Sequence, residues 1–215
     1  MRKLSTLFLA AVLGSSLTAY CQNTSFGITG GASLANMHLK SGDISISVDN
    51  KIGLTVGVFA DVAISENFSF QPALNYVQKG AKTKMTDIDY KSKLTLNYIE
   101  LPLNFLFKPE MPRLRFFVGG GPSIAYALSG KEKETENGVT NTHKYKFGNN
   151  PDEHDLKAVD FGTNFLTGIE TKSGFLISVN FNLGLSNLAP GGSSDGTIKS
   201  RYFGFKVGYM LKGKK

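Results

Sequence analysis

Ile52-Gly53-Leu54-Thr55-Val56-Gly57-Val58-Phe59-Ala60-Asp61-Val62-Ala63-Ile64 is the run from which the rest of the chain can be read. Ile52, Leu54, Val56, Val58, Ala60 and Val62 alternate with Gly53, Thr55, Gly57, Phe59, Asp61 and Ala63. Successive side chains of an extended strand point to opposite faces, so a period of two separates a greasy face from a small or polar one. The same division returns from Phe175 to Leu185 and from Arg201 to Leu211. Such strands stand between two different solvents.

Five further segments carry a weaker alternation: Phe26 to Met37, Phe68 to Gln78, Leu94 to Phe107, Leu114 to Leu128, and Val159 to Ile169. Each of the eight runs to roughly 11 to 15 residues, longer than the usual 5 or 6 of a globular strand and long enough to cross a bilayer at a tilt. The connections alternate in length. Leu39 to Lys51, Gly80 to Lys93, Ser129 to Lys157 and Leu188 to Lys199 are long, whereas Ser65-Glu66-Asn67, Lys108 to Arg113 and Glu170 to Gly174 are short. Tight turns on the periplasmic side and longer loops outside are the habit of outer-membrane barrels, and an even strand number closes the sheet without a free edge. The expected fold is all-β: an eight-stranded, antiparallel, up-and-down transmembrane β-barrel with both termini in the periplasm.

Pro102 and Pro122 fall inside two of these strands, where a missing amide donor ordinarily marks an edge or a bulge. A closed barrel has no edge, so a bulge or a strand end is expected at one or both. The strand glycines, among them Gly30, Gly31 and Gly119 to Gly121, suit the sharp coiling and crowded inner wall of a small barrel.

The chain opens with Arg2 and Lys3, an apolar stretch from Leu4 to Leu17, and Thr18-Ala19-Tyr20-Cys21-Gln22. That is the layout of a secretory signal peptide, and the apolar stretch is shorter than the roughly 20 residues a spanning helix needs. Residues 1–22 are assigned to the leader and 23–215 to the barrel, with cleavage after Cys21 expected and cleavage after Ala19 as the alternative. Tyr20, large and aromatic, argues against a lipidated Cys21, which is the single cysteine of the chain. Removal after Cys21 leaves no disulfide, thiolate metal site or thiol nucleophile. The net charge of +7 includes Arg2 and Lys3. The lysines are scattered without an aromatic-interleaved stripe, so no nucleic-acid partner is expected.

With the apolar face toward lipid, strand phase places Asp61, Glu100, Arg115, Asp160, Glu170 and Lys206 in the interior, together with Gln71, Asn75, Asn104, Asn164, Asn180 and Asn182. An eight-stranded barrel is filled by side chains, and buried charges of both signs must pair. The expectation is a structural polar cluster in which the carboxylates are neutralised by Arg115 and Lys206. Tyr76, Phe105, Phe107, Phe116, Tyr126, Phe175 and Tyr209 are the candidates for interfacial girdles, tryptophan being absent.

Three segments, Gly27-Ile28-Thr29-Gly30-Gly31-Ala32-Ser33, Tyr98-Ile99-Glu100-Leu101-Pro102-Leu103 and Gly119-Gly120-Gly121-Pro122, resemble the PorT-like family of small outer-membrane barrels common in Bacteroidetes. The resemblance spans essentially the whole mature chain. It implies outer-membrane insertion, contact with outer-membrane lipid and the barrel-insertion machinery, and a barrel of this size; one member type assists a secretion system. Lys212-Gly213-Lys214-Lys215 departs from the aromatic ending of many barrels.

No catalytic residue, cofactor site or metal site is expected. His38, His143 and His154 all fall in loops, and the Asp152-Glu153-His154-Asp155 cluster reads as a solvated surface. No serine has the strand-to-helix context of a hydrolase elbow. The favoured reading is a non-enzymatic barrel with a structural or surface-interaction role, contacting surface polysaccharide or a protein partner through its long loops, above all Ser129 to Lys157. A small-solute channel and a lipid-modifying enzyme are the alternatives. A soluble ligand-binding barrel is disfavoured, because the outward apolar bands would lie bare in water.

Overall fold

The computed structural model describes residues 24–41, 44–85, 90–109, 111–112, 114–192 and 196–211. The leader and Cys21 lie outside them, as do Arg113 and the last four residues.

Among the described residues ten strands form one sheet: β1 (Thr24–Ser41), β2 (Ile44–Ser47), β3 (Lys51–Ala63), β4 (Phe68–Met85), β5 (Tyr90–Phe107), β6 (Leu114–Glu136), β7 (Val139–Tyr145), β8 (Val159–Thr171), β9 (Phe175–Gly184) and β10 (Gly196–Leu211). Eight of them, β1, β3, β4, β5, β6, β8, β9 and β10, pair with their neighbours in sequence order, and β10 pairs back onto β1 from Phe26↔Leu211 to Ser41↔Gly196. The sheet closes on itself. β2 and β7 are short hairpin partners of β1 and β6 beyond the ring.

Phase follows the alternation in the sequence. Leu54 is 54 % exposed while Thr55 beside it is fully buried, and the same division holds around the ring. The outer wall is a band of Phe, Ile, Leu and Val whose exposure in water would be costly and whose exposure to lipid is not. Three aromatic pairs lie at the end with the short turns, Phe68 on Phe107 at 5.3 Å, Phe70 on Phe105 at 5.0 Å and Phe175 edge-on to Tyr209 at 5.2 Å, and Phe181 on Phe203 at 4.6 Å lies toward the other end. Among the expected girdle residues, Tyr76 is half-buried, and its hydroxyl donates to Asn97 Oδ1 at 2.9 Å.

Several strands run on past the lipid band at the end bearing the long connections. Most of the expected loop Gly80 to Lys93 is the continued β4–β5 ladder, paired from Gly80↔Thr95 to Met85↔Tyr90. The loop after Leu128 begins as the β6–β7 hairpin, which turns at Asn137 and Gly138, both with positive φ (49° and 80°). That two-residue turn matches the strand twist, and Asn-Gly is its favoured sequence.

The prolines correct an expectation. The strands carry on through Pro102 and Pro122 with register unchanged on either side: Pro102 still faces Ser123, and Pro122 still faces Thr163. What is lost is one side of the ladder. Pairing of β4 with β5 lapses between Pro72↔Leu103 and Asn75↔Glu100, and pairing of β5 with β6 between Pro102↔Ser123 and Phe105↔Gly120. Pro72 makes the same gap against β3, between Phe59↔Ala73 and Val62↔Phe70. Each strand residue directs its amide toward only one neighbour, so an internal proline interrupts a single pairing and the other holds the strand in place. Glycine assists at this point: a Cβ on Gly121 would stand 1.8 Å from the Leu103 carbonyl oxygen.

The bulge occurs elsewhere. Tyr98 pairs with Ala127 but Asn97 pairs with Ser129, leaving Leu128 extra on β6. Below it the odd-numbered residues Ser123, Ala125 and Ala127 face inward; above it Gly130, Glu132 and Glu134 do. One inserted residue swaps the faces of the strand.

Candidate functional site

The barrel interior holds two ion clusters separated by a layer of amides. Nearer the long-loop end, Lys79 Nζ lies 3.2 Å from Glu100 Oε2 and 3.2 Å from Asp160 Oδ2. The Tyr202 hydroxyl donates to Glu100 Oε1, the Ser200 hydroxyl to Asp160 Oδ2, and the Ser186 hydroxyl to Asp160 Oδ1 at 3.0 Å. The ammonium also stands 5.0 Å from the Tyr98 ring centre and 5.3 Å from that of Tyr202. An ammonium stripped of water is favoured only with this density of carboxylate, hydroxyl and π-face around it.

At the short-turn end Lys108, just past the end of β5, turns its ammonium back into the barrel to bond Asp61 Oδ2, 3.8 Å from Glu170 Oε2. Gln71 Nε2 donates to the same Asp61 oxygen at 3.0 Å. Between the clusters, Asn180 Nδ2 donates to Asn164 Oδ1 and Asn164 Nδ2 to Asn104 Oδ1, each at 2.9 Å, and Asn182 Nδ2 donates to Ser123 Oγ at 2.8 Å. Lys206 is buried at this level. The free space among these groups is about 40 Å³, room for about three waters at roughly 10–15 Å³ each.

Of the six charged residues that strand phase sends inward, Asp61, Glu100, Asp160, Glu170 and Lys206 are buried in the lumen. Arg115 is not: it has the inward phase but is the second residue of β6, at the barrel rim, and is exposed. Nor is Lys206 within ion-pairing reach of a carboxylate among the described residues. Lys79 and Lys108 neutralise the acids instead. Both extend an inward series that the sequence displays, Lys79 after Gln71, Asn75 and Val77, and Lys108 after Asn104 and Leu106, each one residue beyond the segments Phe68 to Gln78 and Leu94 to Phe107.

Above the upper cluster the lumen becomes apolar. Met37, Val77, Ala81, Leu96, Tyr98, Ala127 and Tyr202 of the wall pack with Leu156 and Leu188, which descend from the long connections, and with Tyr145 and Phe147 at the end of the β7 hairpin. Part of the third long loop is therefore a lid. It is fastened by the Asp155 carboxylate, which accepts from the Lys146 amide at 2.7 Å and lies 3.2 Å from His143 Nε2. Burial alone would push the Asp155 acid up; the Lys146 amide and His143 outweigh it and hold it below its ordinary value. His154 Nδ1 faces the Asn150 carbonyl oxygen at 3.2 Å. Tyr145 donates to Glu132 Oε2 at 2.9 Å, and burial followed by that carboxylate raises its hydroxyl above the usual range.

A closed, antiparallel ring of eight long strands, apolar outside and polar within, defines the class of small outer-membrane β-barrels. Residues 20–189 match the sequence model of the family described as outer membrane protein beta-barrel domain, and the chain belongs to that family. Its place is accordingly the outer membrane. No curated protein sequence matches the chain. Solved structures that resemble it include Ail, the attachment invasion locus protein of Yersinia pestis (12% identity, 87% of this chain and 97% of that one, TM-score 0.37). Neisserial surface protein A (11%, 87% and 99%, TM-score 0.43) and the outer membrane protein AlkL in lipid bilayers (11%, 90% and 92%, TM-score 0.44) are others.

Proposed function

We propose that this protein is a non-conducting, non-enzymatic outer-membrane barrel that presents its extracellular loops, chiefly the β6–β7 hairpin, to surface polysaccharide or a protein partner. The observation that carries this reading is the contrast between the two parts of the molecule. The lumen is occupied by ion clusters, amides and an apolar lid, with about 40 Å³ free among the amides, whereas β7 is exposed along nearly its whole length, and Lys131, Lys133, Glu136 and Lys144 of its hairpin carry both charge signs at the surface. Loops held on a rigid scaffold are where recognition concentrates. Export by the leader of residues 1–22 belongs to the same reading, and amino-terminal sequencing of the mature protein checks it.

The test is paired. Purified protein in a planar bilayer is expected to give no steady single-channel conductance, and a variant with residues 131–144 replaced by a short Gly-Ser turn is expected to lose binding to polysaccharide and proteins from the native cell surface while keeping its barrel. Stable conductance turns the reading toward a small-solute channel. Unchanged binding by the hairpin variant removes the hairpin from it.

A further inference from the structure

The hydrophobic packing under the lid is not complete. Between Met37, Ala81, Leu94, Leu156 and Ile198 it leaves a cavity of about 160 Å³, with Glu132, Ser92 and Tyr145 on one wall. An apolar cavity of roughly 150 Å³ is large enough to bind benzene. This one differs by having an anion at its edge. The Leu128 bulge turns Glu132 inward, where Oε1 accepts from Ser92 Oγ and Oε2 from the Tyr145 hydroxyl. Both donors are neutral. Among the described residues no lysine, arginine or histidine comes within ion-pairing distance of Glu132, His143 across the hairpin being engaged with Asp155. Each carboxylate oxygen keeps a free lone pair, and Glu134, two residues further along the same face, adds a second negative charge whose one described partner is the neutral Tyr90 hydroxyl at 3.0 Å.

We propose that this cavity is a binding site for a small organic cation, an amine with an apolar body of about benzene size. The ammonium is received by Glu132 beside the face of Tyr145, and the body fills the space against Met37, Ala81 and Leu156. Hydroxyl donors orient the carboxylate without neutralising it, which is what selects a cation over a neutral molecule of the same shape. The site lies beneath the lid and is distinct from the exposed hairpin surface, so its failure would leave the surface-interaction reading untouched.

The full-length protein, labelled with ¹³C at its methionine methyls and folded in detergent micelles, reports the site through Met37, with Met210 at the opposite end of the barrel as internal control. Benzylammonium is expected to shift the Met37 methyl saturably and leave Met210 in place. Benzyl alcohol, matched in shape but neutral, is expected to bind at least tenfold more weakly, Glu132→Gln to bring benzylammonium down to the alcohol, and Ala81→Leu to abolish both shifts. Ala81→Val serves instead if the leucine variant no longer shows heat-modifiable migration. A Met37 methyl that does not saturate, equal affinity for amine and alcohol, or a Glu132→Gln protein that binds like the parent would each overturn the proposal.

Discussion

At the residue scale, burial separates groups that look alike in the sequence. Lys79 is 1 % exposed between two carboxylates, whereas Arg115 has the same inward phase but stands in solvent at the rim. Lys79→Met leaves Glu100 and Asp160 buried without a counter-charge and is expected to cost about 3–5 kcal/mol; Arg115→Ala is expected to stay within about 0.5 kcal/mol. Urea titrations followed by gel migration without boiling compare the two, and equal midpoints would remove the upper ion cluster from the account of stability. Asp155 supplies a pH test. Its acid is held below the ordinary value near 3.8, so its bond to the Lys146 amide strengthens the lid at all pH values above that ordinary value and is lost as pH falls through the depressed one. The Lys146 amide proton should move upfield over that acidic window, and a resonance that stays in place would remove the Asp155 carboxylate from the fastening of the lid.

At the scale of strands, the consequence of the prolines is local opening rather than distortion. Ala60, Ala73 and Leu103 lie opposite Pro72, Pro102 and Pro122 by the register on either side. These three positions lack a reciprocal partner and form a diagonal across β3 to β6. Proline lacks the donor and keeps the acceptor, so the orphaned group at each position is the carbonyl and not the amide. Hydrogen exchange in micelles is expected to find the three amides as well protected as their membrane-level neighbours, and fast exchange at them would mean that the strands part on both sides of each proline. The Leu128 bulge acts on the opposite end, since the same residue that breaks the β5–β6 register aims Glu132 beneath the lid instead of at solvent.

At the scale of the whole molecule, closure holds the structure together, because β10 on β1 removes the free edges that a membrane would not tolerate. Ala32 and Phe205 are directly paired and both face outward, and cross-strand Cα separations of about 4.5–5.5 Å suit a disulfide. In the mature chain the Ala32→Cys, Phe205→Cys variant should oxidise readily and, after boiling without reductant, run ahead of its reduced form, because a chain cross-linked near both ends cannot extend. Identical migration would place β1 and β10 apart.

The sequence by itself determined the eight strands of the ring, the alternation of short and long connections, and the identity of the lipid-facing side, because a period of two is a local property that any solvent boundary imposes on a strand. It also placed Asp61, Glu100, Asp160, Glu170 and Lys206 on the inner face by phase alone. Depth along the barrel axis decided that Arg115 reaches water while Lys108 turns back inside, and closure of the ring decided that Lys79 meets acids from β5 and β8. Phase says which face a residue takes, not how far it stands from the rim or which strand lies across the lumen. The bulge at Leu128 and the lid over the upper end belong to the tertiary structure for the same reason: a one-residue slip and a loop folding back onto a wall leave no period to read, and only the packed ring decides what they bring together.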